Sequence, residues 1–226
     1  MKTKKFTTSQ LTILGLMAGI LFLMAYTPLG YLNIGPLAVT FNVIPVAVCA
    51  IVLGPTGGAI AGAVFGLTSF MQAIGIGGVS ALGSALFQIN PFMTAVQCFG
   101  PRILDGICIG FIYRAVHKKA NTYVSCAVTG FFSAFLNTLF FMTALIVMFG
   151  NTELIRNLMG GHNIIVGCCL MVGVNAISEM VSSTIITAAV GTALSKAHLI
   201  PAVQIVKQIL QHKNPTDRNE KYDFSH

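Results

Sequence analysis

Charged side chains are scarce in this sequence. Asp, Glu, Lys and Arg make up 8% of the 226 residues, whereas 55% are hydrophobic and the mean hydropathy is +0.81. Soluble domains carry about 25% charged residues, so the composition excludes an ordinary soluble protein and indicates a membrane protein. The net charge of +7 does not indicate a nucleic-acid partner, because the basic residues lie in the N-terminal tip, one short loop and the tail, where they act as topology signals.

Several motifs that supply energy or chemistry are also absent. The sequence has no G-x-x-x-x-G-K-[ST], so the chain cannot bind ATP through a P-loop of its own. It has no H-E-x-x-H and no G-x-S-x-G, so hydrolysis within the membrane lacks a metal site or a nucleophile. No repeated half with matching interrupted helices is evident, which argues against a self-sufficient secondary transporter. We therefore do not expect an enzyme.

The cysteines and the N-terminus have simple interpretations. The six cysteines all lie in apolar runs without metal-ligand spacing, so we predict packing roles and no metal site: Cys49, Cys98, Cys108, Cys126, Cys168 and Cys169. Lys2, Lys4 and Lys5 followed by an apolar run resemble a signal peptide. Because more apolar segments follow and no clear A-x-A site appears, we predict a retained first helix.

Six apolar segments approach the length of about 20 residues that a membrane-spanning helix needs. We predict an all-α integral membrane protein whose membrane domain covers residues 1–198 and whose tail covers 199–226. The tail begins with an amphipathic run that either lies on the membrane surface or is disordered. The predicted spans are 11–26, 37–53, 57–74, 92–115, 123–149 and 164–194.

The distribution of basic residues predicts the orientation of these spans. One side of the membrane holds Lys2, Lys4, Lys5, Arg114, Lys118, Lys119 and Lys196, whereas the other side holds only Arg156. Both termini are therefore expected in the cytoplasm, in agreement with an even number of spans. Residues 27–36, 75–91 and 150–163 then form outer loops, and the second is too rich in glycine to predict a firm helix. A GPTGG turn at 54–58 should fold spans 2 and 3 into an antiparallel hairpin.

Two helices carry stripes of small residues. Gly15, Ala18 and Gly19 lie on one face of segment 1, and Gly58, Gly62 and Gly66 recur every fourth residue in segment 3. Small residues let helix backbones approach closely in lipid. One stripe must serve internal packing, which leaves the other available to bind another membrane protein.

Polar residues at membrane depth are the strongest functional signal. Segment 4 holds Arg102 and Asp105 on one helical face, where a charge costs several kcal/mol unless it has a partner or a polar cavity. The two could neutralise each other, and each isolated amide could merely hold helices together. Their number nevertheless favours a binding site. The other candidates are Asn42, Gln97, Asn137, Asn175 and Glu179.

Four stretches carry a recognisable pattern: TPLGYLNIGP, IPVAVCAIVLGPTGGAIAGAVFGLTSF, NPFMTAVQCFGPRILDGICIGFIYR and NAISEMV. Together they resemble the substrate-binding S components of energy-coupling factor (ECF) transporters over residues 11–194. The resemblance is closest to the pantothenate-type branch, with its NPF…PRIL…G…Y pattern and N-x-x-x-E in the last helix. Relatives often carry His before the Ile-Pro of segment 2, where this chain has TFNVIP and Asn42.

The resemblance implies a six-helix protein of a bacterial plasma membrane that binds a vitamin from outside. It would join a transmembrane coupling protein and two ATPase subunits, which would bind the ATP, so the chain itself would need no cofactor. Gly15, Ala18 and Gly19 occupy the position of the coupling surface on helix 1, with Gly in place of the more usual Ala. Outer loops would close over the site.

For pantothenate, Arg102 would meet the carboxylate. Asn42, Asn137 and Asn175 would satisfy the hydroxyls and the amide, with Gln97 in the same site. Glu179 would accept from a donor or orient Asn175, and Asp105 would hold Arg102. Three alternatives remain open: an S component for another small nutrient, a proton-coupled transporter that uses Glu179 as carrier, and a purely structural membrane subunit.

Overall fold

Helices form most of the molecule, and one small β-hairpin lies between the first two. The computed structural model describes residues 8–27, 31–34, 37–77, 80–158, 164–197 and 199. In chain order the elements are α1 (Thr8–Ala25), β1 (Tyr31–Ile34), β2 (Leu37–Thr40), α2 (Val43–Leu53), α3 (Pro55–Ile74), α4 (Ala81–Ile89), α5 (Pro91–His117), α6 (Thr122–Phe149), α7 (Glu153–Leu158) and α8 (Ile164–Lys196).

Five helices in the described part of the chain are long and apolar enough to cross a membrane. They are α1, α3, α5, α6 and the Asn175–Lys196 part of α8. Their outward surfaces carry many exposed apolar side chains, among them Leu104, Phe111, Val147 and Ile185, as expected for surfaces in contact with lipid. The prediction of a helical membrane protein with several spans is confirmed.

The predicted second span, 37–53, differs from the structure. Its first four residues form β2, which pairs antiparallel with β1, and only Val43–Leu53 is helical. At about 1.5 Å per residue, these 11 residues cover roughly half of a hydrocarbon core of about 30 Å. Every residue of α2 is buried. Residues 43–53 are apolar on every side of the helix, and this pattern indicates a helix that is buried all round. α2 is therefore a short central helix that the other helices surround.

The turn between α2 and α3 is a single residue. Gly54 has a positive φ of 75°, and α3 begins directly at Pro55. The first residue of a helix has no acceptor for its backbone N–H, so the N–H that proline lacks is not missed there. A Cβ at Gly54 would collide with the guanidinium of Arg114, which lies over the turn. The predicted turn thus occupies Gly54, and the rest of GPTGG forms the first turn of α3.

Glycines bring α3 into backbone contact with α5. A Cβ at Gly58 would collide with the carbonyl oxygen of Gly106, and a Cβ at Gly62 with the carbonyl oxygen of Arg102. A Cβ at Gly66 would lie 2.9 Å from the carbonyl oxygen of Cys98. The stripe on α3 is therefore the internal one, and it holds the Arg102 region of α5 directly against α3.

Replacement of Gly62 by alanine is expected to destabilise the fold by about 1–3 kcal/mol, because the obstructing atoms belong to the backbone and cannot rotate away. Gly100→Ala on α5 is the matched control, since its Cβ would meet nothing within 4 Å. Thermal unfolding in detergent should show a lower midpoint for Gly62→Ala alone. Equal midpoints for the two variants would contradict the close packing of α3 on α5.

Two short helices, α4 and α7, were not predicted from the sequence. Residues 75–91 were expected to lack a firm helix, yet α4 occupies Ala81–Ile89 and is capped by Ser80, whose Oγ accepts from the Gly83 N–H at 3.1 Å. Leu86 of α4 and Ile155 of α7 pack against Leu145 and Phe149 at the end of α6. Burial of these apolar side chains offsets the low helix propensity of glycine.

Other predictions lie partly outside the described residues. The tail prediction concerns residues 199–226, of which only Leu199 is described, and Lys2, Lys4 and Lys5 precede the first described residue. Cys49, Cys98 and Cys126 are free and buried, in agreement with packing roles. Within the described part of the chain, no group of three or more His, Cys, Asp or Glu side chains could hold a metal ion.

Candidate ligand-binding site

Arg102 is held by the backbone of its own helix and by two aromatic rings. Its Nη1 donates to the carbonyl oxygens of Cys98 at 3.0 Å and Gln97 at 3.4 Å. The guanidinium carbon lies 4.6 Å from the ring centroid of Phe65 on α3 and 5.5 Å from that of Phe141 on α6. Nε is buried without a hydrogen-bond partner in the described part of the chain. A fixed, partly unsatisfied cation between aromatic rings is well suited to receive an anion.

Asp105 does not form an ion pair with Arg102 in the described part of the chain. Its carboxyl group is 2% exposed, and Oδ1 has no hydrogen-bond partner there. The Ser133 hydroxyl lies near this carboxyl, and Ser133 Oγ donates to the carbonyl oxygen of Val43 at 3.3 Å. Asp105 is nevertheless close enough to Arg102 for an electrostatic interaction. Any support that it gives Arg102 therefore acts through charge rather than direct contact.

Asn137 lies at the centre of a polar face of α6. Ser133 and Phe141 are one turn before and after it, and they contact Asp105 and Arg102 respectively. Asn137 must therefore face α5 between these two groups. Its side chain is buried. Gln97 adds a second amide: Nε2 donates to the Phe141 carbonyl at 2.9 Å, and Oε1 has no partner among the described residues.

Asn42 carries the least satisfied side chain of the group. It precedes α2, is 0% exposed, and neither Oδ1 nor Nδ2 has a hydrogen-bond partner in the described part of the chain. A buried polar group without a partner costs about 1–3 kcal/mol. Because the next residue, Val43, contacts Ser133, the amide lies near the polar face of α6. Such an amide indicates a partner that is supplied by a ligand or by water.

Replacement of Asn42 by leucine should separate stability from binding. Leucine has the same number of side-chain heavy atoms and removes the unpartnered amide. The free energy of unfolding of the ligand-free protein should therefore rise by about 1–3 kcal/mol, which raises its unfolding temperature. Ligand binding should weaken, because the amide is lost. Asn121→Leu is the matched control, because Asn121 Oδ1 caps α6 by accepting from the Val124 N–H. That variant should lose about 1 kcal/mol and bind ligand normally. A lower midpoint for Asn42→Leu with unchanged affinity would refute this interpretation.

Glu179 links α8 to the β1–β2 hairpin. Its Oε1 accepts from the Thr40 N–H at 2.7 Å, at the end of β2, and its charge lies within electrostatic range of Arg102. Asn175 is buried one helical turn away, on the same face of α8. The spacing of these residues in the sequence correctly indicated a shared face. The contact to Thr40 was not predicted, because it joins positions 139 residues apart.

The structure thus places the predicted polar residues at buried or half-buried positions on α5, α6 and α8 and, with Asn42, just before α2. Sequence reasoning missed Phe65, Phe141, Ser133 and Thr40. For two of them a signal was present, since Ser133 and Phe141 lie four residues to either side of Asn137 and share its face. Phe141 also packs against the apolar cluster of α4, α6 and α7, so this cluster lies next to Arg102.

The small-residue stripe of α1 differs from that of α3. A Cβ at Gly15 or Gly19 would meet nothing within 4 Å, and both glycines are exposed, with Leu11, Leu16 and Leu23 exposed beside them. Ala18 is half-buried at the edge of this face. The opposite face of α1 carries Leu14 and Leu21 into the core. The α1 stripe therefore makes no close internal contact with the described part of the chain.

The described structure is a helical membrane protein with buried amide and charged side chains between its helices. A family model described as "ECF transporter, substrate-specific component" matches residues 9–191, and the chain belongs to this family. The protein named "Pantothenate transporter PanT" from Leuconostoc mesenteroides subsp. mesenteroides is 33% identical over 178 residues, which cover 76% of this chain and 81% of the relative. "Pantothenic acid transporter PanT" from Lactococcus lactis subsp. cremoris is 28% identical over 207 residues, which cover 86% of this chain and 97% of the relative.

Proposed function

We propose that the chain captures pantothenate from outside a bacterial plasma membrane for ATP-driven uptake by an ECF transporter. The observation that carries this proposal is the unsatisfied polar cluster: Arg102 Nε and both polar atoms of Asn42 are buried without partners in the described part of the chain. Two relatives bear pantothenate names. Pantothenate has a carboxylate, an amide and two hydroxyls, which is the complement of this donor and acceptor set.

The residues are assigned by the chemistry of each ligand group. Arg102 meets the carboxylate with charge-assisted hydrogen bonds, and Asp105 supports the arginine electrostatically from one turn away. The hydroxyls and the amide of the ligand hydrogen-bond to the side chains of Asn42, Asn137 and Asn175. Gln97 Oε1 accepts from one of the ligand's hydroxyl or amide donors. These hydrogen bonds and the charge pair are needed to offset the free-energy cost of removing a charged ligand from water.

The outer hairpin is assigned the role of a lid. β1 and β2 pair with each other, and the end of β2 is tied to the site through the Thr40 N–H and Glu179. A ligand that competes for Glu179 would shift this contact, so binding and loop position would be coupled. With α2 counted as the second of six membrane segments, both chain ends lie in the cytoplasm.

The partners are a transmembrane coupling protein and two ATPase subunits, which bind the ATP. The open face of α1 around Gly15, Ala18 and Gly19 is the proposed contact with the coupling protein. Surrounding lipid covers the other outward faces, and the chain needs no cofactor or metal of its own for this role.

Uptake of labelled pantothenate into vesicles tests the function. The chain alone should bind pantothenate without accumulating it, and the complete complex should accumulate it only when ATP is supplied to the ATPases. Accumulation by the chain alone under a proton gradient would instead establish a secondary transporter that uses Glu179. Transport of a different vitamin by the complete complex would retain the family role and overturn the ligand assignment.

A further inference from the structure

The inference concerns Pro101, a buried proline in the interior of α5. Proline has no backbone N–H, so the carbonyl oxygen four residues earlier loses its usual helical donor. That carbonyl belongs to Gln97, and Arg102 Nη1 donates to it at 3.4 Å and to the Cys98 carbonyl at 3.0 Å. The guanidinium therefore lies where the helix is missing a donor.

This arrangement leaves a defined edge of the guanidinium for the ligand. With Nη1 turned toward the backbone of α5, the remaining edge consists of Nε and Nη2, whose parallel N–H bonds match the two oxygens of a carboxylate. Nε is buried without a partner in the described part of the chain. Phe65 and Phe141 restrict the position of the guanidinium plane, since both rings lie close to its central carbon.

We propose that Pro101 is a positioning residue for the anion receptor: by withholding its N–H from Gln97, it anchors Arg102 Nη1 on α5 and directs the Nε–Nη2 edge at the ligand carboxylate. This inference rests on the proposed pantothenate function. Any other residue at position 101 restores a backbone donor that competes with Nη1 for the Gln97 carbonyl. The arginine would then lose an anchor and bind the carboxylate less well, although its charge would be unchanged.

The test compares pantothenate with pantothenol, in which a hydroxymethyl group replaces the carboxylate. Pro101→Ala should weaken pantothenate binding about tenfold, the value of roughly one hydrogen bond, and leave pantothenol affinity unchanged. Pro101→Cys restores the same N–H at nearly the original side-chain volume and should give the same result. Gly100→Ala is the matched control in the same helix and should change neither affinity, because its Cβ would meet nothing within 4 Å.

A double-mutant cycle with Arg102→Ala separates positioning from a general effect on the helix. If Pro101 acts through the guanidinium, Pro101→Ala should have no further effect once Arg102 is absent. An equal loss for both ligands, or the same loss in the Arg102→Ala background, would overturn the inference. So would failure of both Pro101 variants to fold, since the added N–H is expected to favour the helix. If the unmodified protein does not prefer pantothenate to pantothenol, the proposed function fails first.

Discussion

Arg102→Ala is expected to lower pantothenate affinity by about 3 kcal/mol, or roughly 100-fold, while the protein remains folded. The loss is large because the carboxylate would be buried without its charge partner. The fold should survive, because in the described part of the chain the guanidinium donates only to carbonyl oxygens of its own helix. Isothermal titration of the purified protein in detergent measures the affinity, and size-exclusion chromatography reports the fold.

Two further variants sharpen this result. Arg102→Lys keeps the positive charge but has no parallel N–H edge, so it should recover little of the affinity. Arg156→Ala removes an exposed arginine on α7 and should leave binding unchanged. If Arg102→Ala binds pantothenate as tightly as the unmodified protein, the carboxylate assignment is wrong.

Replacement of both Gly15 and Gly19 by leucine should abolish assembly with the coupling protein and leave pantothenate binding intact. Both glycines face open space, so the leucines fit within the chain itself. On the outer face of α1 they would prevent close approach of another helix, and small residues are what permit such approach in lipid. Co-purification of the coupling protein through a tag on this chain gives the readout.

Alanine at the same two positions provides the control. Ala keeps the side chains small, so the Gly15→Ala, Gly19→Ala variant should assemble normally. The leucine variant must also be shown to bind pantothenate, which separates a lost interface from a lost fold. Normal co-purification of the leucine variant would show that the coupling protein docks elsewhere.

The candidate polar residues could be identified from the sequence largely because charges and amides are rare in membrane segments. Arg102, Asp105 and Glu179 stand out in apolar surroundings, and the helical period places Asn175 and Glu179 on one face. The two glycine stripes were equivalent in the sequence. Only the backbone contacts of Gly58 and Gly62 with α5 assign the α3 stripe to internal packing and leave the α1 stripe open.

What the sequence could not supply depends on contacts between distant residues. An apolar run from 37 to 53 is compatible with a continuous span, and pairing with β1 makes its first part a strand. The glycines in 75–91 disfavour a helix locally, and burial of Leu86 against α6 overrides them. The three-residue spacing of Arg102 and Asp105 suggested mutual neutralisation, but the side chain of Arg102 instead turns back toward the carbonyl oxygens of Gln97 and Cys98.

Native mass spectrometry of the purified chain tests the central claim most directly, because the ligand need not be chosen in advance. The protein purified from cells that are supplied with pantothenate should carry an added mass equal to one pantothenic acid. Arg102→Ala, purified in the same way, should carry none. Another small molecule bound to the unmodified protein, or an equal pantothenate signal from Arg102→Ala, would contradict the proposed pantothenate site around Arg102.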